Sequence, residues 1–79
     1  MMPLYFLHVR DGDLLIRDLD GSLLNNLEAA RDQAIESARE LMVYSIEGEG
    51  RLGITRSVEI CDAGGRILCV LPFRETVGV

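Results

Sequence analysis

The sequence predicts an α+β fold in the order β-β-α-β-β, a four-stranded antiparallel sheet with one helix packed on one face. Three observations predict it. Two strand-like segments joined by an Asp-Gly turn occupy the first 17 residues, and apolar residues at helical spacing occupy the middle. Two more strand-like segments, separated by a Gly-Gly turn, follow. At 79 residues the chain has room for a single domain over residues 1–79.

The first hairpin is predicted from residue type and turn chemistry. Residues 4–10 are aromatic and aliphatic, and the Asp-Gly-Asp run at 11–13 is a turn signal. Residues 14–17 form a short second strand. It is closed by the Asp-Leu-Asp-Gly run at 18–21, where aspartate side chains bond the nearby backbone and Gly21 adopts a positive φ.

The helix is predicted from residue 27 to about residue 46. Its apolar stripe consists of Leu27, Ala30, Ala34, Ile35, Ala38, Leu41 and Met42. Asn25 or Asn26 caps the first turn by accepting a backbone N–H. The three alanines imply a close approach between the helix and the sheet. Residues 48–53, with three glycines, are expected to end the helix and to form the loosest segment.

The second hairpin is predicted from strands at residues 55–61 and 66–73 around a turn at 62–65. Pro72 lacks an N–H, so the end of the last strand should lie at a sheet edge or past the pairing. With this register Cys61 and Cys69 share a face diagonally, with ~7 to 8 Å between their Cα atoms. That distance exceeds disulfide reach, and we interpret both thiols as small apolar packing groups.

Both faces of the predicted sheet carry apolar residues. Strand alternation places Leu4, Phe6 and His8 on the opposite face from Tyr5, Leu7 and Val9, and separates Leu68 and Val70 from Ile67, Cys69 and Leu71. One helix covers one face, and below about 80 residues a lone core supplies only ~3 to 5 kcal/mol. We therefore expect a twofold homodimer through the other face. The alternative is that residues 48–53 fold over that face.

Composition limits the partners. The chain has eight arginines, no lysine and thirteen acidic residues, for a net charge of −5. Phosphate neutralisation dominates nucleic-acid binding, so DNA and RNA are not expected partners, nor is an anionic membrane. Two cysteines do not make a disulfide scaffold, and the N-terminus lacks the basic leader of a signal peptide. We expect a reducing cytoplasm.

The candidate chemical groups have simpler structural explanations. His8, the only histidine, has no acid or nucleophile assigned beside it, so we interpret it as structural. Four turn aspartates, whose carboxylates are ligands for Ca²⁺ or Mg²⁺, match no EF-hand spacing, and we interpret them as turn formers: Asp11, Asp13, Asp18 and Asp20. The glycines at 48, 50 and 53 make no phosphate loop, because a strand follows them. No residue is assigned a catalytic, cofactor-binding or metal-binding role.

Five segments together resemble a family of short bacterial domains of unknown function. They are YFLHVRDG at 5–12, DLDG at 18–21, LEAARDQA at 27–34, VEICD at 58–62 and GRIL at 65–68. The resemblance covers nearly the whole chain and implies the fold order, with no established activity. The chain departs from the family's usual pattern at Asn26, often Asp, and at Cys61, often a hydroxyl residue.

Three function hypotheses remain. The first is a non-enzymatic interaction module that self-associates through its sheet and binds a protein partner by an exposed strand edge. The second, on fold-level analogy, is an antitoxin-like regulator that binds a basic partner encoded beside it. The third is a small enzyme that uses His8, Cys61 or Cys69.

Overall fold

A computed structural model of the chain describes residues 2–49 and 55–76. Within these residues the fold is α+β, with one α-helix packed against an antiparallel sheet of five strands. The elements are β1 (Leu4–Asp11), β2 (Leu14–Ile16), β3 (Ser22–Leu23), α1 (Leu27–Glu49), β4 (Ser57–Asp62), β5 (Ile67–Pro72) and a 3₁₀ helix (Phe73–Thr76). The predicted fold class is confirmed.

The sheet has the order β2-β1-β4-β5, and the short β3 also pairs with β1. β2 and β3 therefore share one edge of β1, opposite residues 9–11 and 4–5 respectively. β3 was not predicted from the sequence, because a strand of two residues has no alternation pattern. These two residues pair only because β1 has an open edge at that point. Gly12 and Gly21 both have a positive φ, as their turns require.

The helix begins at a cap and is longer than predicted. Asn26 accepts a hydrogen bond from the N–H of Ala29 through its side-chain oxygen at 2.8 Å, so the predicted cap is confirmed at this asparagine. The helix runs to Glu49, so the prediction that Gly48 ends it is wrong. An exposed glycine in the last turn costs about 1 kcal/mol, which a 23-residue helix tolerates. Residues 50–53 of the predicted glycine-rich loop lie outside the described residues.

The core lies between the helix and one sheet face. Ala30, Ala34 and Ala38 are fully buried, which agrees with the predicted close approach of the helix. From the sheet, the buried core residues are Tyr5 of β1, Val58 and Ile60 of β4, and Leu71 of β5. Leu7 and Val9 pack against this core, as the alternation of the first strand predicts.

The last strand ends earlier than predicted. β5 stops at Pro72 on the sheet edge, opposite Ser57, and Phe73 starts a 3₁₀ helix. Phe73 is fully buried against the core, and its N–H donates to the carbonyl oxygen of Arg56 at 2.9 Å. The Thr76 hydroxyl donates to the Phe73 carbonyl oxygen at 2.7 Å and closes the turn. The chain therefore leaves the sheet to insert an aromatic ring under the helix.

A β-bulge alters the second hairpin. Cys61 pairs with Ile67 as predicted, but Ile60 pairs with Cys69, so Leu68 is the additional residue. Cys69 therefore lies on the helix side with Ile60, whereas Cys61 lies on the opposite side. The prediction that the two thiols share a face is wrong, because it assumed an unbroken ladder. For the same reason Ile67, predicted on the same face as Cys69, lies with Cys61.

Candidate interaction face

The sheet face opposite the helix, called the open face below, is the candidate site. Strand pairing places residues that face each other across the ladder on the same side. The open face comprises Leu4, Phe6, His8 and Arg10 of β1, Leu15 of β2, Leu23 of β3, Glu59 and Cys61 of β4, and Ile67 and Val70 of β5. Leu68 of the bulge lies beside them.

Apolar side chains on the open face are exposed. Leu23, Ile67 and Val70 are 61%, 54% and 52% exposed, and Leu68 is 37% exposed. They lie on β3 and β5, toward the two edges of the sheet. None of the segments in residues 2–49 and 55–76 covers them. The expectation of an apolar second face therefore holds toward the edges, but the middle of the face is polar.

An ion pair occupies the middle of the open face. Nε of Arg10 on β1 donates to a carboxylate oxygen of Glu59 on β4 at 2.9 Å. The Glu59 side chain is only 12% exposed, whereas that of Arg10 is 38% exposed. The hydrogen bond to Glu59 raises the pKa of Arg10, and the charge of Asp13 acts in the same direction. Sequence reasoning missed this pair, because nothing in the local sequence distinguishes Glu59 from a solvent-facing strand residue.

His8 is held beside the ion pair by the loop that separates β2 from β3. Its Nδ1 accepts the backbone N–H of Asp18 at 2.9 Å, so the neutral ring carries its proton on Nε2. The ring stacks on Phe6 with 6.1 Å between centroids. The Asp18 carboxylate accepts the N–H groups of Leu7 and Gly21, each at 3.1 Å. His8 and Asp18 therefore anchor this loop to β1, which agrees with the interpretation of His8 as a structural residue.

Residues 4–74 match the model of a protein family described as Domain of unknown function (DUF6894). The chain belongs to the DUF6894 family. The match runs from the start of β1 into the 3₁₀ helix and so includes the whole open face. Searches of curated proteins and of solved structures returned no significant match.

The four turn aspartates of this DUF6894 chain do not converge on one point. Asp11 pairs with Arg56 at 3.1 Å, and Asp18 binds backbone N–H groups. Asp13 and Asp20 are exposed. Within residues 2–49 and 55–76, no three His, Cys, Asp or Glu side chains are grouped as metal ligands. In the same residues, no helix is long and apolar enough to cross a membrane.

The thiols of the DUF6894 domain lie in different environments. Cys61 is 4% exposed, and burial, followed by the charges of Glu59 and Asp62, raises its pKa above the usual 9.0. A nucleophilic cysteine requires the opposite shift. Cys61 lies diagonally from His8 on the open face, but no hydrogen bond among the described residues joins them. Cys69 packs against the core from the helix side.

The solvent side of the DUF6894 helix carries a regular acidic stripe. Four exposed carboxylates follow one another at four-residue spacing: Glu28, Asp32, Glu36 and Glu40. Like charges at this spacing destabilise a helix by a few tenths of a kcal/mol per pair. Arg31 and Arg39 flank the stripe, and Arg39 also donates to the Thr76 carbonyl oxygen at 3.4 Å.

Proposed function

We propose that this DUF6894 domain is a non-enzymatic interaction module that forms a twofold homodimer through the open face. The observation that carries the proposal is the set of exposed apolar side chains at Leu23, Ile67, Leu68 and Val70. A second copy removes these side chains from water without any additional partner. The raised pKa of the Cys61 thiol supports a role other than nucleophilic catalysis.

The dimensions of the sheet agree with a small dimer interface. β1 has eight residues, β2 three, β3 two, and β4 and β5 six each; at ~3.4 Å per residue and ~4.8 Å between strands they give a face of roughly 400 Å². Two copies then bury about 800 Å² together, which is the size of a weak, transient interface. We therefore expect a dimer that dissociates on dilution into the micromolar range.

The setting of the module follows from the same observations. Neither thiol is in a disulfide, and the bulge places them on opposite faces of the sheet. This arrangement fits a reducing cytoplasm. The resemblance to short bacterial domains supports a bacterial origin.

Light scattering after size-exclusion chromatography tests the proposal with two matched variants. Val70→Lys places a charge on the open face opposite Glu59 and should give a monomer of 8.8 kDa. Val43→Lys changes the same residue type at similar exposure, 56% against 52%, but on the helix. It should remain dimeric, with a mass twice that of the protomer.

Two results would overturn the dimer. One is a wild-type protein that stays monomeric at about 100 µM, above the dissociation constant expected for so small an interface. The other is a dimer that Val70→Lys and Val43→Lys affect equally, since the interface would then lie elsewhere.

A second candidate function is an acidic regulator that binds a basic partner, and the acidic stripe on the helix favours it. Its partner would be a small basic protein encoded beside this chain. Co-purification should then be lost in an Asp32→Asn, Glu36→Gln variant and kept in Val70→Lys. The opposite pattern would assign the partner to the open face, and absence of any complex would reject this function.

A further inference from the structure

We infer that the two copies recognise each other by sharing the Arg10–Glu59 ion pair across the interface, an inference that rests on the proposed dimer. Each Arg10 would bond its own Glu59 and the Glu59 of the other copy. The apolar side chains would supply the buried area of the interface. The ion pairs would determine which partner binds and in which orientation.

The position of the ion pair supports this arrangement. Arg10 and Glu59 lie on β1 and β4, the two central strands of the order β2-β1-β4-β5. In a twofold interface, a residue near the axis faces its equivalents in the other copy. An axis through the middle of the open face, close to the paired residues His8 and Glu59, therefore brings the two ion pairs together.

The hydrogen-bonding capacity of Arg10 supports it as well. A guanidinium has five N–H donors in a fixed plane, and Arg10 uses Nε for Glu59. Within residues 2–49 and 55–76, no other hydrogen bond of this guanidinium is found. Its terminal nitrogens therefore have donors available for a second carboxylate. Two arginines and two glutamates in contact form an alternating set of four charges.

The same charges explain why a second copy is favoured over an unrelated apolar surface. An apolar partner would remove water from the terminal nitrogens of Arg10 and from Glu59 without replacing their hydrogen bonds. Burying such groups unpaired is costly, and this cost discriminates between partners. A second copy presents one carboxylate for each guanidinium.

Mixing two single variants tests whether the Arg10–Glu59 ion pair is shared across the interface. Arg10→Gln keeps Glu59, and Glu59→Gln keeps Arg10. Neither homodimer then contains an Arg10–Glu59 contact, whereas the mixed dimer regains one, and only across the interface. We expect each variant alone to associate at least about tenfold more weakly than wild type. Native mass spectrometry of the mixture should show the mixed dimer well above its statistical share of half.

The possible outcomes separate this inference from the dimer itself. A monomeric wild type rejects the dimer. If Val70→Lys disrupts the dimer but the mixed variants form only the statistical share of mixed dimer, the open face remains the interface. The sharing of the Arg10–Glu59 ion pair across it is then rejected.

If circular dichroism shows that a glutamine variant does not fold, a milder variant tests the inference instead. Arg10→Lys keeps the charge beside Glu59 but has a single nitrogen in place of the planar fork. It should fold and associate more weakly than wild type. Association as strong as that of the wild type would overturn the inference that the ion pair is shared.

Discussion

Of the two loop glycines Gly12 and Gly21, Gly21 should tolerate a side chain less well, and Gly12 provides a matched control. Both glycines have a positive φ, +72° and +61°. A Cβ at Gly12 meets nothing within 4 Å. A Cβ at Gly21 would lie 2.9 Å from Cδ1 of Leu4, 3.0 Å from Cε1 of Phe6 and 3.1 Å from the Tyr5 carbonyl oxygen. The Tyr5 oxygen belongs to the backbone of β1 and cannot rotate away.

These contacts set the expected magnitudes. A left-handed φ costs a non-glycine residue ~1 to 2 kcal/mol. Alanine recovers ~0.4 to 1 kcal/mol by restricting the unfolded chain. Gly12→Ala should therefore lower the free energy of unfolding by about 0.5 to 1 kcal/mol. Gly21→Ala carries the same terms plus ~1 to 3 kcal/mol for overpacking, which gives about 1.5 to 4 kcal/mol in total.

Urea unfolding at one fixed protomer concentration measures both values, since a dimer makes the midpoint depend on concentration. Equal losses for the two variants would refute the reasoning. The close approach of an added Cβ at Gly21 to Leu4, Phe6 and Tyr5 would then cost no stability.

Three further predictions concern the helix and the thiols. Asn26→Ala removes the helix cap and should cost about 1 kcal/mol in urea unfolding. Ala34→Phe should cost ~1 to 3 kcal/mol or more by overpacking a fully buried site, whereas Gln33→Phe, on the exposed side, should not. Cys61 holds its proton more tightly when folded, so its contribution to stability is complete below pH 9.0 and is lost as the pH rises through its raised pKa. Cys61→Ala should therefore reduce the loss of stability that urea unfolding measures for the wild type at alkaline pH.

Most of the fold was predictable because its signals are local. The Asp-Gly turn at residues 11–12, the alanine stripe and the Asn26 cap each specify a conformation within a few residues. β3 and the 3₁₀ helix were not predictable in this way. A two-residue strand exists because β1 leaves it an open edge, and Phe73 leaves the sheet because the helix provides a buried site for its ring.

The candidate site was predicted only in part, for a similar reason. Alternation separated Phe6 and His8 from Leu7 and Val9, and the structure confirms this separation, with Phe6 and His8 on the open face. It did not indicate that Glu59 is nearly buried there, since burial on a central strand depends on both neighbouring strands. The bulge beside Cys61 also escaped prediction, because it arises from the pairing of two strands and reverses the side on which Ile67 lies.

Both borders of the sheet are poorly suited to the addition of another strand. Along β1, the loop between β2 and β3 interrupts the border, and the Asp18 carboxylate occupies the Leu7 N–H that an incoming strand would need. Along β5, the bulge at Leu68 and Pro72, which has no backbone N–H, interrupt the row of hydrogen-bonding groups. Bulges and prolines on an edge strand hinder edge-to-edge pairing, so this fold should resist forming fibres even at high concentration.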